Sequence, residues 1–269
     1  MRRRWLAALA LVALPQAVGA ETFILTTLEW CPYTCSALPG GGATTQVVRS
    51  ALRAAGDDLE VEVLPWVRAT QAAARDHRIA GYFPEYAADL NGFALSPVIG
   101  LGPLGIAEHK DRPLTFNTIG DLEPYRLGTV RGYLNTAAFD RSVAAGRQPV
   151  EENVSDEANL LKLALRRLDG VVIDGRVMAY LLAHQGELRS VGDVLRINPR
   201  LLEEKTLHVA AAPTEMGSRL LHSLRLGLSR IDAAVIQADY LRRNHIDMDG
   251  LIAALPPPPV SRPRPPSPP

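Results

Sequence analysis

Strands alternating with helices in two successive runs predict an α/β fold with mostly parallel sheets, divided into two lobes. Three observations carry this. Apolar residues switch between the period of a buried strand and that of a one-sided helix. The alternation runs through one unit, restarts near residue 108 and closes in helices. The chain's two ends are not domain sequence, which leaves about 235 of the 269 residues to fold. That is enough for two modest lobes without metal or disulfide staples.

The elements follow in order. Phe23–Leu28 is short, apolar and β-branched, as a buried strand is. After Gly40, Gly41 and Gly42, the residues Val47, Val48, Ala51, Leu52 and Ala55 share a helical face that Gly56 ends. Leu59, Val61 and Val63 alternate as a strand, and Pro65 closes it. A helix from about Val67 to Arg75 leads to a short element at Ile79–Phe83, then to a Gly-punctuated apolar run from Leu101 to Glu108. Arg126–Val130 begins the second series. It continues with a helix stripe on Leu160, Leu161, Ala164, Leu165 and Leu168, a strand at Val171–Ile173 and a stripe on Val177, Met178, Leu181 and Leu182. Leu207–Ala212 reads as a strand after the charged Glu203–Lys205. Two helices finish the chain, one on Met216, Leu220, Leu221, Leu224 and Leu228, the other on Val235, Ile236, Tyr240 and Leu241.

Residues 1–20 carry three arginines, an apolar run from Trp5 to Leu14 and small residues closing at Ala20. This reads as a cleavable signal peptide that exports the protein to the periplasm. Residues 254–269 form a Pro-rich tail read as disordered, with 9 of the 21 prolines in its last fourteen positions. The 29 basic and 29 acidic residues balance, and losing Arg2, Arg3 and Arg4 turns the balance slightly acidic, so no basic nucleic-acid footprint is expected. A hydrophobic content of 47% fits a globular chain.

Cys31 and Cys35 flank Pro-Tyr-Thr after the first strand. Export favours a disulfide clip. Redox chemistry is the alternative, since Cys-Pro-Tyr is similar to glutaredoxin-like sites, but those have two residues between the cysteines. The histidines are scattered without ligand spacing, no Gly-x-Ser-x-Gly elbow is present, and Gly40–Gly42 lacks a phosphate-loop context. No metal, cofactor or catalytic constellation is predicted. Polar and aromatic residues instead gather at strand ends: Trp30 and Tyr33, Trp66 and Arg68, then Tyr82, Phe83 and Glu85, Arg131 and Tyr133, and finally Asp174. The carboxyl ends of strands line the ligand crevice of open α/β sheets. Aromatic walls with a few charges suit a small polar ligand.

On these residues the chain resembles the family 3 extracellular solute-binding proteins, the periplasmic receptors of polar amino-acid ABC transporters. The motifs are Trp30-x-Pro32-Tyr33, Pro65-Trp66-x-Arg68, Gly81-Tyr82-Phe83-Pro84 before Ser96-Pro97, Gly128-x-x-x-Gly132-Tyr133 and Leu168–Asp174. The resemblance implies a type II-like clamshell with two crossing hinge strands near Leu104–Glu108 and Leu207–Ala211. Lobe one would hold residues 21–106 plus 210–253, lobe two residues 107–209. It implies a monomer that closes on a small polar, amino-acid-like ligand and presents it to an ABC permease or a membrane sensor, with no cofactor. Trp30 and Trp66 would be aromatic walls, Asp174 the carboxylate receiving a ligand ammonium, and Gly132-Tyr133 the turn meeting a ligand carboxylate.

One departure bears on the ligand. Family members carry an arginine before the Ser-Pro that forks the α-carboxylate. Here Tyr86–Ser96 contains none, and Asp89 or a neighbour takes its place. Arg68 or Arg131 would then substitute, or the ligand is not an ordinary α-amino acid. Two alternatives stand beside capture: a receptor without high-affinity binding that docks a protein, and a lyase resembling cyclohexadienyl dehydratase with Glu85 as its acid.

Overall fold

A computed structural model describes residues 19–88, 90 and 92–246. The expected signal peptide up to residue 18, Asp89, and the Pro-rich tail lie outside these described residues. Strand β1 (Thr22–Thr27) is buried along its second half, and the loop after it leads into α1 (Ala43–Ala55). Gly56 ends α1 in the left-handed conformation, with φ 100°, as its position after the stripe predicts. Then come β2 (Asp58–Val63), α2 (Trp66–Arg75) and β3 (Ile79–Tyr86). β3 runs three residues past its expected end because it is buried along its whole length between β1 and a later strand. Such burial rewards pairing through Pro84 as well.

A short β4 (Ala94–Leu95) precedes the long β5 (Gly100–His109). The second series is β6 (Leu127–Val130), α3 (Ala137–Ala144), β7 (Val150–Asn153), α4 (Asp156–Ala164), β8 (Gly170–Asp174) and α5 (Gly175–His184). It closes with α6 (Gly186–Arg189) and β9 (Leu195–Ile197). β10 (Glu203–Ala211) returns to the first half, followed by α7 (Glu215–Leu228) and α8 (Ala233–Arg243). The sequence reading omits β4, α3, β7, α6 and β9, which are short or exposed on one side. β10 also starts earlier than expected and takes in the charged Glu203–Lys205.

The strands order as β2-β1-β3-β10-β5-β8-β6-β7, with β4 on β10 and β9 on β5. β1 pairs parallel with β2 and β3, and β6 with β7 and β8. Antiparallel pairing enters only through β5, β10 and their partners. This is the two-lobe clamshell with two crossing strands. The crossing lies slightly N-terminal of its expected position on each strand. Gly100–Leu104 pairs with Glu203–Leu207, whereas Leu104–Glu108 already pairs with β8, and the ladder from Leu207 to Ala211 belongs to β3 and β4.

The first lobe packs α1, α7 and α8 on its sheet around Phe23, Leu25, Val47, Leu52, Leu220 and Leu224, all fully buried. The second is filled by Ile106, Leu122, Leu127 and Phe139 on one face and by Leu160, Leu163 and Val171 on the other. Each such side chain stabilises the fold by about 1.5–3 kcal/mol. Among the described residues, no helix is long and apolar enough to cross a membrane.

Candidate functional site

The loop after β1 is built to hold aromatic rings. Cys31 and Cys35 are joined by a disulfide, with Cα atoms 4.7 Å apart. The Ala43 and Thr44 amides at the start of α1 donate to the Pro32 and Tyr33 carbonyls at 2.9 Å. The approach is so close that a Cβ on Gly42 would lie 2.4 Å from the Tyr33 carbonyl oxygen, and Gly42 has φ 105°. So pinned, Trp30 stacks on Tyr33 at 4.6 Å between centroids and meets Tyr86 edge-on at 6.2 Å. The carboxylate of Glu29 shares this loop with both sulfurs. Because the sulfurs bond each other, the trio offers no thiolate to a metal.

Trp66 opens α2 where β2 has ended. Its indole N–H donates to the Gly132 carbonyl across the lobes at 3.1 Å, and its ring meets Tyr82 at 5.5 Å and Tyr133 at 6.2 Å, both edge-on. Gly132 turns the chain after β6 with φ 79°. Trp30, Trp66, Arg68, Arg131 and Tyr133 thus come together on one interlobe cleft of about 860 Å³. Arg68 and Arg131 are exposed, and Arg131 has Glu152 3.8 Å away. Next to it, Trp30, Trp66, Glu85, Tyr86 and Tyr133 line a smaller open pocket of about 30 Å³, room for about two waters.

Glu85 is buried, accepting from the Tyr86 amide at 2.7 Å and the Tyr82 hydroxyl at 3.4 Å. Burial pushes its carboxyl up to about 7, against the two hydrogen bonds and the charge of Lys205. Lys205, on β10, stands 4.8 Å over the Tyr86 ring and donates to the Asn135 carbonyl in the segment after β6 at 3.0 Å. Phe83 is fully buried in the core and Tyr82 packs on Phe93, so neither faces the cleft. Alternation along β3 sends these two neighbours to opposite faces, Phe83 into the main core and Tyr82 toward Trp66 and Phe93.

Asp174, expected to receive a ligand ammonium, has its carboxylate turned elsewhere. It caps α5 by accepting from the Arg176 and Val177 amides at 2.8 and 3.2 Å, and it accepts the Tyr33 hydroxyl at 3.0 Å. The Arg176 guanidinium donates to Tyr33 Oη at 3.3 Å and to the Leu101 carbonyl at 2.6 Å. Gln237 of α8 grips Leu101 from the opposite side, at 3.0 Å on both amide and carbonyl. This network ties both lobes to a crossing strand. Gly102 makes room for it, since a Cβ there would lie 2.3 Å from Asp174 Oδ2.

The buried carboxylate that does line the cleft is Asp156, in the first turn of α4, where Ser155 accepts from the Ala158 amide as the cap. Asp156 is only 7% exposed. Burial first, then the negative charge of Asp174, pushes it up to about 7, with a Trp30 side-chain hydrogen bond opposing. Sequence reasoning missed it because β7 is short and half exposed, so no strand end was visible there. The signal was the Ser155-Asp156-Glu157 cap ahead of the Leu160 stripe.

These carboxyls set a pH dependence. Glu85 and Asp156 sit at about 7 and Asp174 at about 6, all above the unfolded range near 4. The folded state therefore binds protons that the unfolded chain releases between about pH 4 and 7, so their contribution favours folding at the acid end and is lost as pH rises. Asp76, Asp121 and Glu151, held low by hydrogen bonds, lose their contribution only below that window. The melting temperature of the ligand-free protein is expected several degrees higher at pH 5 than at pH 8. Calorimetry giving the reverse order would contradict this electrostatic picture.

No protein-family model matches the chain, and no curated sequence relative matches it. Solved structures do. A histidine kinase sensor domain with similarity to periplasmic binding proteins superposes with a TM-score of 0.67 at 15% identity, over 82% of this chain and 96% of that one. An ancestral arginine-binding protein bound to arginine gives 0.64 at 14%, over 82% and 97%. The BvgS VFT2 domain of Bordetella pertussis gives 0.65 at 18%, over 82% and 92%. At these identities the likeness establishes the fold.

Proposed function

We propose that this chain is an exported, non-catalytic, monomeric receptor whose interlobe cleft closes on a small polar, amino-acid-like ligand and presents it to an ABC permease. The observation that carries this reading is the cleft of about 860 Å³ with aromatic and charged side chains from both sides. Its likeness to proteins described as binding amino acids agrees. Export rests on residues 1–20 as a signal peptide. We take the lobes as 21–106 plus 210–253 and 107–209, a division a few residues C-terminal of the segments where β5 and β10 pair. Trp30, Trp66, Arg68, Arg131 and Tyr133 are the proposed ligand contacts. Glu85 belongs to the small aromatic pocket beside the cleft, and Tyr33 and Asp174 position the lobes.

One observation favours a second reading. Trp66 already bonds the opposite lobe, and the pocket it shares with Trp30, Glu85 and Tyr133 is small. A sensor that signals through lobe position would have such a self-closed state, and one similar structure is described as a histidine kinase sensor domain.

A thermal-shift screen against amino acids, polyamines, small carboxylates and prephenate tests capture directly, because a ligand of the native state raises the melting temperature. A shift by one chemical class supports capture. Silence across the screen supports the sensor reading. With a ligand in hand, Trp66→Ala is expected to weaken binding about thirtyfold, roughly 2 kcal/mol, through lost aromatic burial and the lost bond to Gly132. An unchanged dissociation constant in titration calorimetry would remove Trp66 from the ligand contacts.

A further inference from the structure

We propose that the buried end of the ligand is an ammonium or guanidinium group and that Asp156 receives it. This rests on the capture reading above. Asp156 is buried yet lines the cleft. Among the described residues no lysine, arginine or histidine forms an ion pair with it. The nearby Asp174 is answered by Arg176, Tyr33 and two amides, whereas the Trp30 indole is the polar group that reaches toward Asp156. A desolvated carboxylate without a cation is costly, and a cationic occupant removes that cost.

The surroundings agree in sign. Glu29 and Glu157 line the same cleft, and the Trp30, Trp66 and Tyr133 rings provide π-faces and edges that tolerate an organic cation. The two arginines of the cleft sit at its exposed rim, Arg131 beside Glu152 and Arg68 shared with an outer groove. They are poised for a negative or polar end of the ligand, not for its buried end. The missing arginine before Ser96 fits this polarity, because a ligand held mainly by its positive end does not need a carboxylate fork.

Titration calorimetry on the full chain at pH 8 tests the assignment with 1,4-diaminobutane, 1-amino-4-guanidinobutane and tetramethylammonium as probes. 1,4-Butanediol and glutarate are the uncharged and anionic controls. At least one cation is expected to bind and both controls to fail. Asp156→Asn is expected to weaken that cation at least tenfold while melting no lower than the unaltered protein, since it removes a lone buried charge. Asp156→Glu, which restores the charge, recovers most of the affinity, an outcome that a purely structural role for Asp156 does not give. Glu157→Gln changes affinity less than threefold. Equal affinity in Asp156→Asn overturns the assignment to Asp156. Binding of butanediol or glutarate without any cation overturns the charge of the ligand and leaves capture intact. If no probe binds while the broader screen finds another ligand, the inference falls alone; if neither finds one, the capture reading falls with it.

Discussion

Asp174→Ala is expected to lower the unfolding free energy by about 3–5 kcal/mol, the order expected when three donors around one buried carboxylate lose their acceptor together. The alanine leaves the Tyr33 hydroxyl and the Arg176 and Val177 amides without their common acceptor and removes the negative charge near the Arg176 guanidinium, in a place where Tyr33 is fully buried. Its own raised pKa works the other way, since a buried carboxylate is costly, but three stranded donors outweigh one relieved charge. At this chain size the loss corresponds to roughly 10 °C in melting temperature. Asp174→Asn should cost less, because an asparagine oxygen still caps a helix. Denaturant titration showing a loss below about 1 kcal/mol for the alanine variant would mean that the network does not hold the lobes.

Gly227→Ala is the second large effect, and its cause is steric. A Cβ at this position in α7 would lie 1.8 Å from the Ala51 carbonyl oxygen of α1, so the two helices meet backbone to backbone. Alanine favours helix over glycine by about 1 kcal/mol. Here overpacking should dominate and destabilise by about 3 kcal/mol or more, since neither backbone can give way without repacking Leu220 and Leu224. Gly186→Ala in α6 is the matched control. Nothing lies within 4 Å of its Cβ, and no loss of stability is expected. A Gly227→Ala protein as stable as the unaltered one would show that α1 and α7 are less closely joined.

Both effects depend on features that the sequence conceals to different degrees. The stripe from Val47 to Ala55 with Gly56 behind it specifies α1 almost to the residue, because one apolar face and one left-handed stop are local properties. Two apolar runs on either side of the second unit were also legible, and the resemblance to solute-binding proteins is what marked them as crossing strands. Their crossing point was not, because only the pairing of Gly100–Leu104 with Glu203–Leu207 defines it. β7 stayed invisible because Val150–Asn153 has a single buried residue, and with it went the strand end that carries Asp156.

The site divides along the same line. Trp30, Trp66, Arg68, Arg131 and Tyr133 follow strand ends and meet on one cleft, which chain order alone anticipates. Asp174 also follows a strand end, but a side chain that can cap its own helix and meet Tyr33 from 141 positions away is committed by tertiary contact. Nothing local distinguishes it from Asp156. Gly102 is the converse case, an unremarked glycine in the sequence that a buried carboxylate requires to be bare.

The paired crossing of β5 and β10 has a mechanical consequence. Two strands bonded to each other along Gly100–Leu104 and Glu203–Leu207 form a single ribbon, not two independent tethers. Such a ribbon behaves as a leaf spring: it yields to bending and twisting, but it resists stretch and sliding between its leaves. Relative motion of the halves is thereby reduced to little more than one angular coordinate. One donor–acceptor dye pair across the mouth would then follow the whole opening stroke, and two pairs at different heights should report proportional displacements.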